Sequence, residues 1–276
     1  MSRRPFVLLA LLAATAFGAV AQDAKAPSPE ERDATGRTPF DLKVEDALAR
    51  GDVLAREPTA EGITHPELLT LRLGGVQLRA IFKTVNEETR GLSRTNVAEQ
   101  HFTDRYVYEL AAYRLDRLFR IDLVPPTIVR EIEGKRGSVQ YWIEDAISVG
   151  KAIADGHQPK DAARFRRNKI SMNVLDALIH NIDRQPTNVL VTPADDGFYL
   201  IDHSRSFREE KTLPPFLVDW DGTLEPRIAA RLREVKDDEI RAALAGLVTE
   251  KQIKAVVARR ERLVRKLAEL KLLPTA

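Results

Sequence analysis

Not one of the chain's 276 residues is cysteine. That excludes disulfide bonds, a thiol nucleophile and a lipid anchor carried on a cysteine. The five histidines, His65, His101, His157, His180 and His203, are scattered without a ligand spacing, which argues against a zinc centre. No Gly-x-Ser-x-Gly elbow occurs, so an α/β-hydrolase nucleophile is excluded as well. The longest apolar run, Phe6 to Phe17, is too short and too rich in alanine to span a membrane. Charge of one sign is also lacking: 43 basic residues face 41 acidic ones, and Arg3 and Arg4 lie in an acid-free first stretch of 21 residues. A neutral body gives no general reason to expect nucleic acid or an anionic membrane as partner.

What is present begins with an export signal. Ser2-Arg3-Arg4 precedes the apolar run, and Gly18-Ala-Val-Ala21 supplies a small-residue cleavage pattern. Ser-Arg-Arg-Pro-Phe also fits a twin-arginine signal, with an ordinary Sec signal as the alternative. Either route leads to a bacterial periplasm or to secretion, with no stable membrane insertion. Residues 22–40 are rich in proline and charge and read as a flexible linker. The rest, in a chain 43% hydrophobic and 30% charged, suffices for one large domain or two lobes.

Residues 41–143 read as a strand-rich lobe with one helix. Leu69, Leu71 and Leu73 alternate, Gly74-Gly75 signals a hairpin, and Val76, Leu78, Ala80 and Phe82 alternate again. Lys83 then falls on the opposite face, either as an edge lysine or as a functional cation. The preceding turn, with Gly62 and Thr64, offers backbone N–H groups to an anion. A helix is expected from about Val97 to Phe119, with Tyr108, Ala111, Ala112, Leu115 and Phe119 as its buried stripe. Glu109 sits on the edge of that stripe, where a carboxylate needs a partner, and Lys83 is a candidate. A second hairpin is expected to turn at Glu133–Gly137.

Residues 144–276 read as mainly helical. Ile170, Val174, Ala177 and Leu178 mark an amphipathic helix leading to Asp183, and Pro186 stops it. Thr249-Glu-Lys-Gln252 resembles a capping box before an apolar seam that starts at Ile253. Between these helices, Asn188 to Asp202 has a β-rich run on each side of Asp196-Gly197. Folding it there sets Asn188 opposite Asp202, with Cα atoms roughly 4.5–5.5 Å apart, so that one cation takes oxygen from both side chains. Asp183 is then a nearby acid–base candidate. His203 and Ser204 are neighbours on an extended segment and point to opposite faces, which speaks against a Ser-His pair.

Five separated motifs, Ile63-Thr-His-Pro66, Ala80-Ile-Phe-Lys83, Glu109-Leu-Ala-Ala-Tyr-Arg-Leu-Asp116, Asn181-Ile-Asp-Arg184 and Ile201-Asp-His-Ser-Arg-Ser-Phe207, occur in that order. Together they resemble the atypical branches of the protein-kinase-like superfamily: bacterial relatives of phosphatidylinositol 3-/4-kinases, HipA-type kinases and secretory-pathway kinases that include the Golgi casein kinase. The resemblance covers roughly residues 45–245. It implies a two-lobed, protein-kinase-like α+β fold and transfer of the ATP γ-phosphate to a hydroxyl-bearing substrate. It further implies that Lys83 holds phosphates and pairs with Glu109, that Asn188 and Asp202 hold Mg²⁺ or Mn²⁺, and that Asp183 is the catalytic base. The alternative is a nucleotide-binding or scaffold protein without phosphoryl transfer. Three departures stand out: Gln185 occupies a place where the lipid-kinase pattern has histidine, Asp202-His-Ser replaces Asp-Phe-Gly, and residues 62–68 lack a full glycine-rich loop. The short, proline-rich stretch after Phe207 leaves no room for a long phosphorylated activation loop.

Overall fold

The structure, a computed structural model, describes residues 31–59, 65–90, 101–214 and 224–273. The export signal, residues 22–30 of the linker, and Gly62 and Thr64 lie outside the described residues. From Arg32 onward the linker segment is anchored: the Arg32 guanidinium forks onto both oxygens of Asp122 at 2.8 and 2.9 Å. It then enters a helix, α1 (Pro39–Arg50), that the strand-rich reading of this lobe lacked. The start is encoded locally. Thr38 and Asp41 form a reciprocal capping box and Pro39 takes the first turn, where its missing N–H costs nothing.

Five strands follow in one antiparallel sheet of order β1-β2-β3-β7-β6: β1 (Asp52–Pro58), β2 (Glu67–Leu73), β3 (Val76–Lys83), β6 (Thr127–Ile132) and β7 (Lys135–Tyr141). The alternation of β2 and β3 does what period-2 patterning requires. Leu69, Leu71, Ala80 and Phe82 are buried with Val139 of β7 and with Val44, Ala47 and Leu48 of α1, and these form the smaller of two cores. The hairpin of β6 and β7 turns more tightly than expected, at Glu133-Gly134 alone, with Ile132 opposite Lys135. Both turn residues have positive φ (50° and 76°), as a two-residue turn with the twist of its strands demands.

Two further strands, β4 (Asn86–Arg90) and β5 (His101–Arg105), pair with each other. The helix expected from Val97 therefore starts later, as α2 (Val107–Leu118). The correction has a local cause: the apolar stripe with helical spacing begins only at Tyr108, and the Tyr106 N–H is taken by Val85 O at 2.8 Å. The stripe itself is as expected, with Tyr108, Ala111, Ala112, Leu115 and Phe119 all fully buried. It joins the larger core, shared with α4 (Ala162–Ile179), α5 (Pro226–Glu234), α6 (Asp237–Leu244) and α7 (Glu250–Glu269). α2 thus leans on the helical side while touching β6 and β7 on the other.

A second, three-stranded sheet of order β10-β9-β8 completes the fold: β8 (Ile147–Ser148), β9 (Val189–Thr192) and β10 (Gly197–Leu200). A short helix, α3 (Val149–Ala154), follows β8, and a single 3₁₀ turn, Pro186–Asn188, precedes β9. The hairpin of β9 and β10 exists as anticipated, but its register differs by one residue. Thr192 pairs with Gly197 and Val189 with Leu200, so Asn188 lies across from Ile201, whose N–H it accepts at 3.1 Å, and Asp202 comes one residue later. The reason is a four-residue loop, Pro193 to Asp196, in which the Asp195 carboxylate takes hydrogen bonds from Thr192 Oγ1 and from the Gly197 N–H.

Candidate active site

Lys83 ends β3 on the face opposite Phe82. Its ammonium lies 2.7 Å from Glu109 Oε1 and 3.0 Å from Asp202 Oδ1. Three elements that are distant in sequence therefore converge on one nitrogen. Burial disfavours the Lys83 charge, but the two carboxylates outweigh it and push its pKa well above the usual lysine range. Glu109, only 1% exposed, feels the same contest: burial raises it, and Lys83 and His203 more than reverse this, holding the carboxyl below the ordinary range.

Glu109 has a second partner that the sequence reading did not name. Its Oε2 accepts from the His203 N–H at 3.0 Å and contacts His203 Nδ1 at 3.1 Å. His203 is wholly buried. Asp202 stands beside it in the left-handed region (φ 57°), one of the few conformations in which aspartate replaces glycine at modest cost. Its Oδ1 also accepts from Ser204 Oγ at 3.2 Å, while 42% of the side chain stays exposed.

Asp183 is built into the loop after α4. Its N–H donates to Asn181 Oδ1 at 3.0 Å, and its carbonyl accepts from Asn188 Nδ2 at 2.9 Å. Its carboxylate is aimed by Gln185 Nε2 at 2.9 Å and Arg205 Nη1 at 3.3 Å. Gln185 thus supplies an N–H donor to the aspartate. The two arginines that follow Asp183 and Asp202 in the chain divide their duties. Arg205 touches Asp183, whereas the Arg184 side chain, 6% exposed, is structural. It forks onto Asp176 at 2.9 and 3.0 Å and donates to the carbonyls of Asn188 and Ile201, both at 2.8 Å, pinning the hairpin to α4.

The expected residues therefore fall into two linked groups. Lys83, Glu109 and Asp202 touch directly; Asp183 and Asn188 are bonded to each other, and the segment from Asp202 to Arg205 joins the groups. One acid was missed. Asp104 on β5 lies near Asp202 and Glu109, and burial pushes its carboxyl up, with a Ser204 hydrogen bond offsetting part of the rise. The expectation of a helix across residues 97–106 hid it, since only strand pairing brings it toward Asp202 and Glu109.

With this geometry the architecture is plain. The chain has a protein-kinase-like α+β fold. It superimposes on the Golgi casein kinase with a TM-score of 0.61 at 14% identity, over 86% of this chain and 76% of that one. The Golgi casein kinase with Mn and ADP bound gives 0.58 at 14%, over 83% and 76%. Hydra Fam20 with sugar gives 0.59 at 14%, over 83% and 89%. In sequence, Protein Rv2133c of Mycobacterium tuberculosis is 27% identical over 56% of this chain and 67% of that protein. No protein-family model matches. Among the described residues no helix is long and apolar enough to cross a membrane.

Nor do any three His, Cys, Asp or Glu side chains among the described residues form a metal cage of their own. The Asn188 amide oxygen and the Asp202 carboxylate, at the open end of the hairpin, are hard oxygen groups of the kind that could hold Mg²⁺ or Mn²⁺ rather than a softer ion.

Proposed function

We propose that the protein is an ATP-dependent phosphotransferase that moves the γ-phosphate to a hydroxyl acceptor outside the cytoplasm. The observation that carries this reading is the Lys83 ammonium held between Glu109 and Asp202, at the mouth of the hairpin that also anchors Asp183. Phosphoryl transfer needs positioning and charge neutralisation more than covalent chemistry, and these residues are arranged for both. Lys83 is a fixed cation for the α- and β-phosphates, kept protonated by two carboxylates. Asn188 and Asp202 would hold Mg²⁺ or Mn²⁺, which neutralises charge on the transferred group when bound. Asp183 accepts the proton of the attacking hydroxyl, and Gln185 and Arg205 keep its carboxylate facing the cleft. The Mn and ADP in the fold neighbour support the nucleotide and metal reading, and the amino-terminal signal supports the compartment. Proteins, glycans, lipid headgroups and small alcohols all offer the hydroxyl.

Labelled ATP with Mn²⁺ or Mg²⁺ tests the reading. The mature protein is expected to autophosphorylate or hydrolyse ATP, and Asp183→Ala to lose this while still being stabilised by nucleotide and metal in thermal melts. Stabilisation without turnover in the wild type would make it a nucleotide-binding scaffold. No stabilisation at all would overturn the site.

A further inference from the structure

Glu109 and its neighbour Tyr108 on α2 are both bonded from outside the helix, and Lys83 is only one of their partners. His203 reaches Glu109 Oε2 through both its backbone N–H and its ring Nδ1. A carboxylate only accepts, so Nδ1 carries the proton in this contact, and Nε2 is buried with no hydrogen-bond partner among the described residues. One residue earlier on the helix, the Tyr108 hydroxyl accepts from Gln252 Nε2 at 2.7 Å. The same nitrogen donates to Phe207 O at 2.8 Å, and Gln252 Oε1 accepts from the Thr249 N–H at 2.8 Å. Every polar atom of this buried amide is used, so its orientation is fixed. The rings of Tyr108 and Phe207 pack at 5.2 Å, closing the circle between α2, α7 and the segment 203–207.

Consecutive residues on a helix project about 100° apart, so bonds to both 108 and 109 block rotation as well as sliding. We infer that His203 and Gln252 are positioning residues that hold α2, and through it the Glu109–Lys83 pair, in the working position in the resting protein. This rests on the phosphotransferase reading of that pair. His203 takes the place that phenylalanine has in Asp-Phe-Gly, and its ring adds a hydrogen bond that phenylalanine lacks. Gln252 ties the segment after Asp202 to α7 from the other side. No added phosphate or partner is then needed to bring α2 into place, and turnover is expected to start without a lag on addition of ATP.

The test is amide hydrogen exchange across α2 in the full chain without nucleotide, alongside kcat and KM for ATP. Because Nδ2 of asparagine falls where Nδ1 of histidine sits, His203→Asn keeps the donor and His203→Leu removes it. His203→Leu is expected to speed exchange of α2 and to lower kcat by ~10–100-fold, the scale of a lost hydrogen bond to a charged group, with KM for ATP much less changed. His203→Asn should restore both. Gln252→Leu, at the opposite end of the network, should also speed exchange in α2 and serves if His203→Leu does not fold. Wild-type exchange in α2 of both leucine variants, or an asparagine variant no better than leucine, overturns the inference. Faster α2 exchange in the leucine variants, with a wild-type protein that never turns over ATP, would instead support the clamp and sink the phosphotransferase reading.

Discussion

The Lys83 ammonium lies 2.7 Å from Glu109 Oε1, and the carboxylate it meets is almost entirely removed from solvent. Such a pair is costly to break from one side only. Lys83→Met leaves Glu109 buried without its cation and is expected to lower stability by ~3–5 kcal/mol, whereas Lys83→Met with Glu109→Gln should recover much of that loss. Urea melts of both single variants and the double variant measure the coupling.

The loop around Asp183 is held through its backbone, by Asn181 Oδ1 and Asn188 Nδ2, while Gln185 and Arg205 aim its carboxylate. Asp183→Asn is expected to cut kcat by ~100–10,000-fold, the span of general-base catalysis, with little change in melting temperature. Asp202→Asn should instead weaken stabilisation by Mn²⁺ with ATP. A variant pair in which both substitutions affect only metal binding would remove Asp183 from the base role.

His180 closes α4 in the left-handed conformation (φ 51°), buried, with Nδ1 unpartnered among the described residues. Burial, with Arg259 and Arg208 nearby, depresses its pKa to about 4. The sign follows from linkage. Between that value and the unfolded value near ~6.5 the unfolded chain binds the extra proton, so stability falls as pH drops through this window. At pH 5 the cost is ~2 kcal/mol relative to neutral pH. Asparagine tolerates the same backbone, so His180→Asn should flatten the melting temperature against pH between 7 and 5.

Gly137 on β7 is packed against the strand that carries Lys83. A Cβ there would sit 2.4 Å from Lys83 O and 2.6 Å from Phe82 Cε2, contacts no alanine can make without moving β3. Gly137→Ala is expected to cost ~1–3 kcal/mol and to displace Lys83, raising KM for ATP. An unchanged KM would show that β7 yields before β3.

Arg184 offers a contrast with Arg205. Removing its fork leaves Asp176 buried and frees the carbonyls of Asn188 and Ile201, so Arg184→Ala should destabilise the whole protein by ~3 kcal/mol or more. Lysine cannot reproduce the two-pronged geometry and should rescue little of it. Arg205→Ala should leave the melting temperature nearly unchanged and lower kcat.

Much of this was legible before any coordinates. Period-2 patterning found β2 and β3, and the turn signal found the hairpin of β9 and β10, because both are local statements about alternation and glycine. Lys83, Glu109, Asp183, Asn188 and Asp202 were singled out by the order of the motifs that carry them, and the structure gathers them into two linked groups. The register of Asn188 was off by one because side-chain hydrogen bonds of Asp195 set the loop length, and strand patterning says nothing about them. Asp104 escaped because pairing between β4 and β5 is non-local, and its strand was read as helix. His203 was weighed as a partner for Ser204, its neighbour in sequence, when its partner is 94 residues away on α2. The helix α1 left a visible mark, Thr38-Pro39-Phe-Asp41, that compositional reading of a linker overrode.

The α7 bonds have a consequence for how the protein is made. Gln252 holds Phe207 O, and the buried guanidinium of Arg259 donates to the carbonyls of Leu178, Arg208 and Glu210 with no carboxylate bonded to it among the described residues. A nascent chain that has grown as far as Val248 already contains Lys83, Glu109, Asp183, Asn188 and Asp202, yet none of these clamps. The segment after Asp202 therefore gains its bonds to the last helix only once that helix has been made.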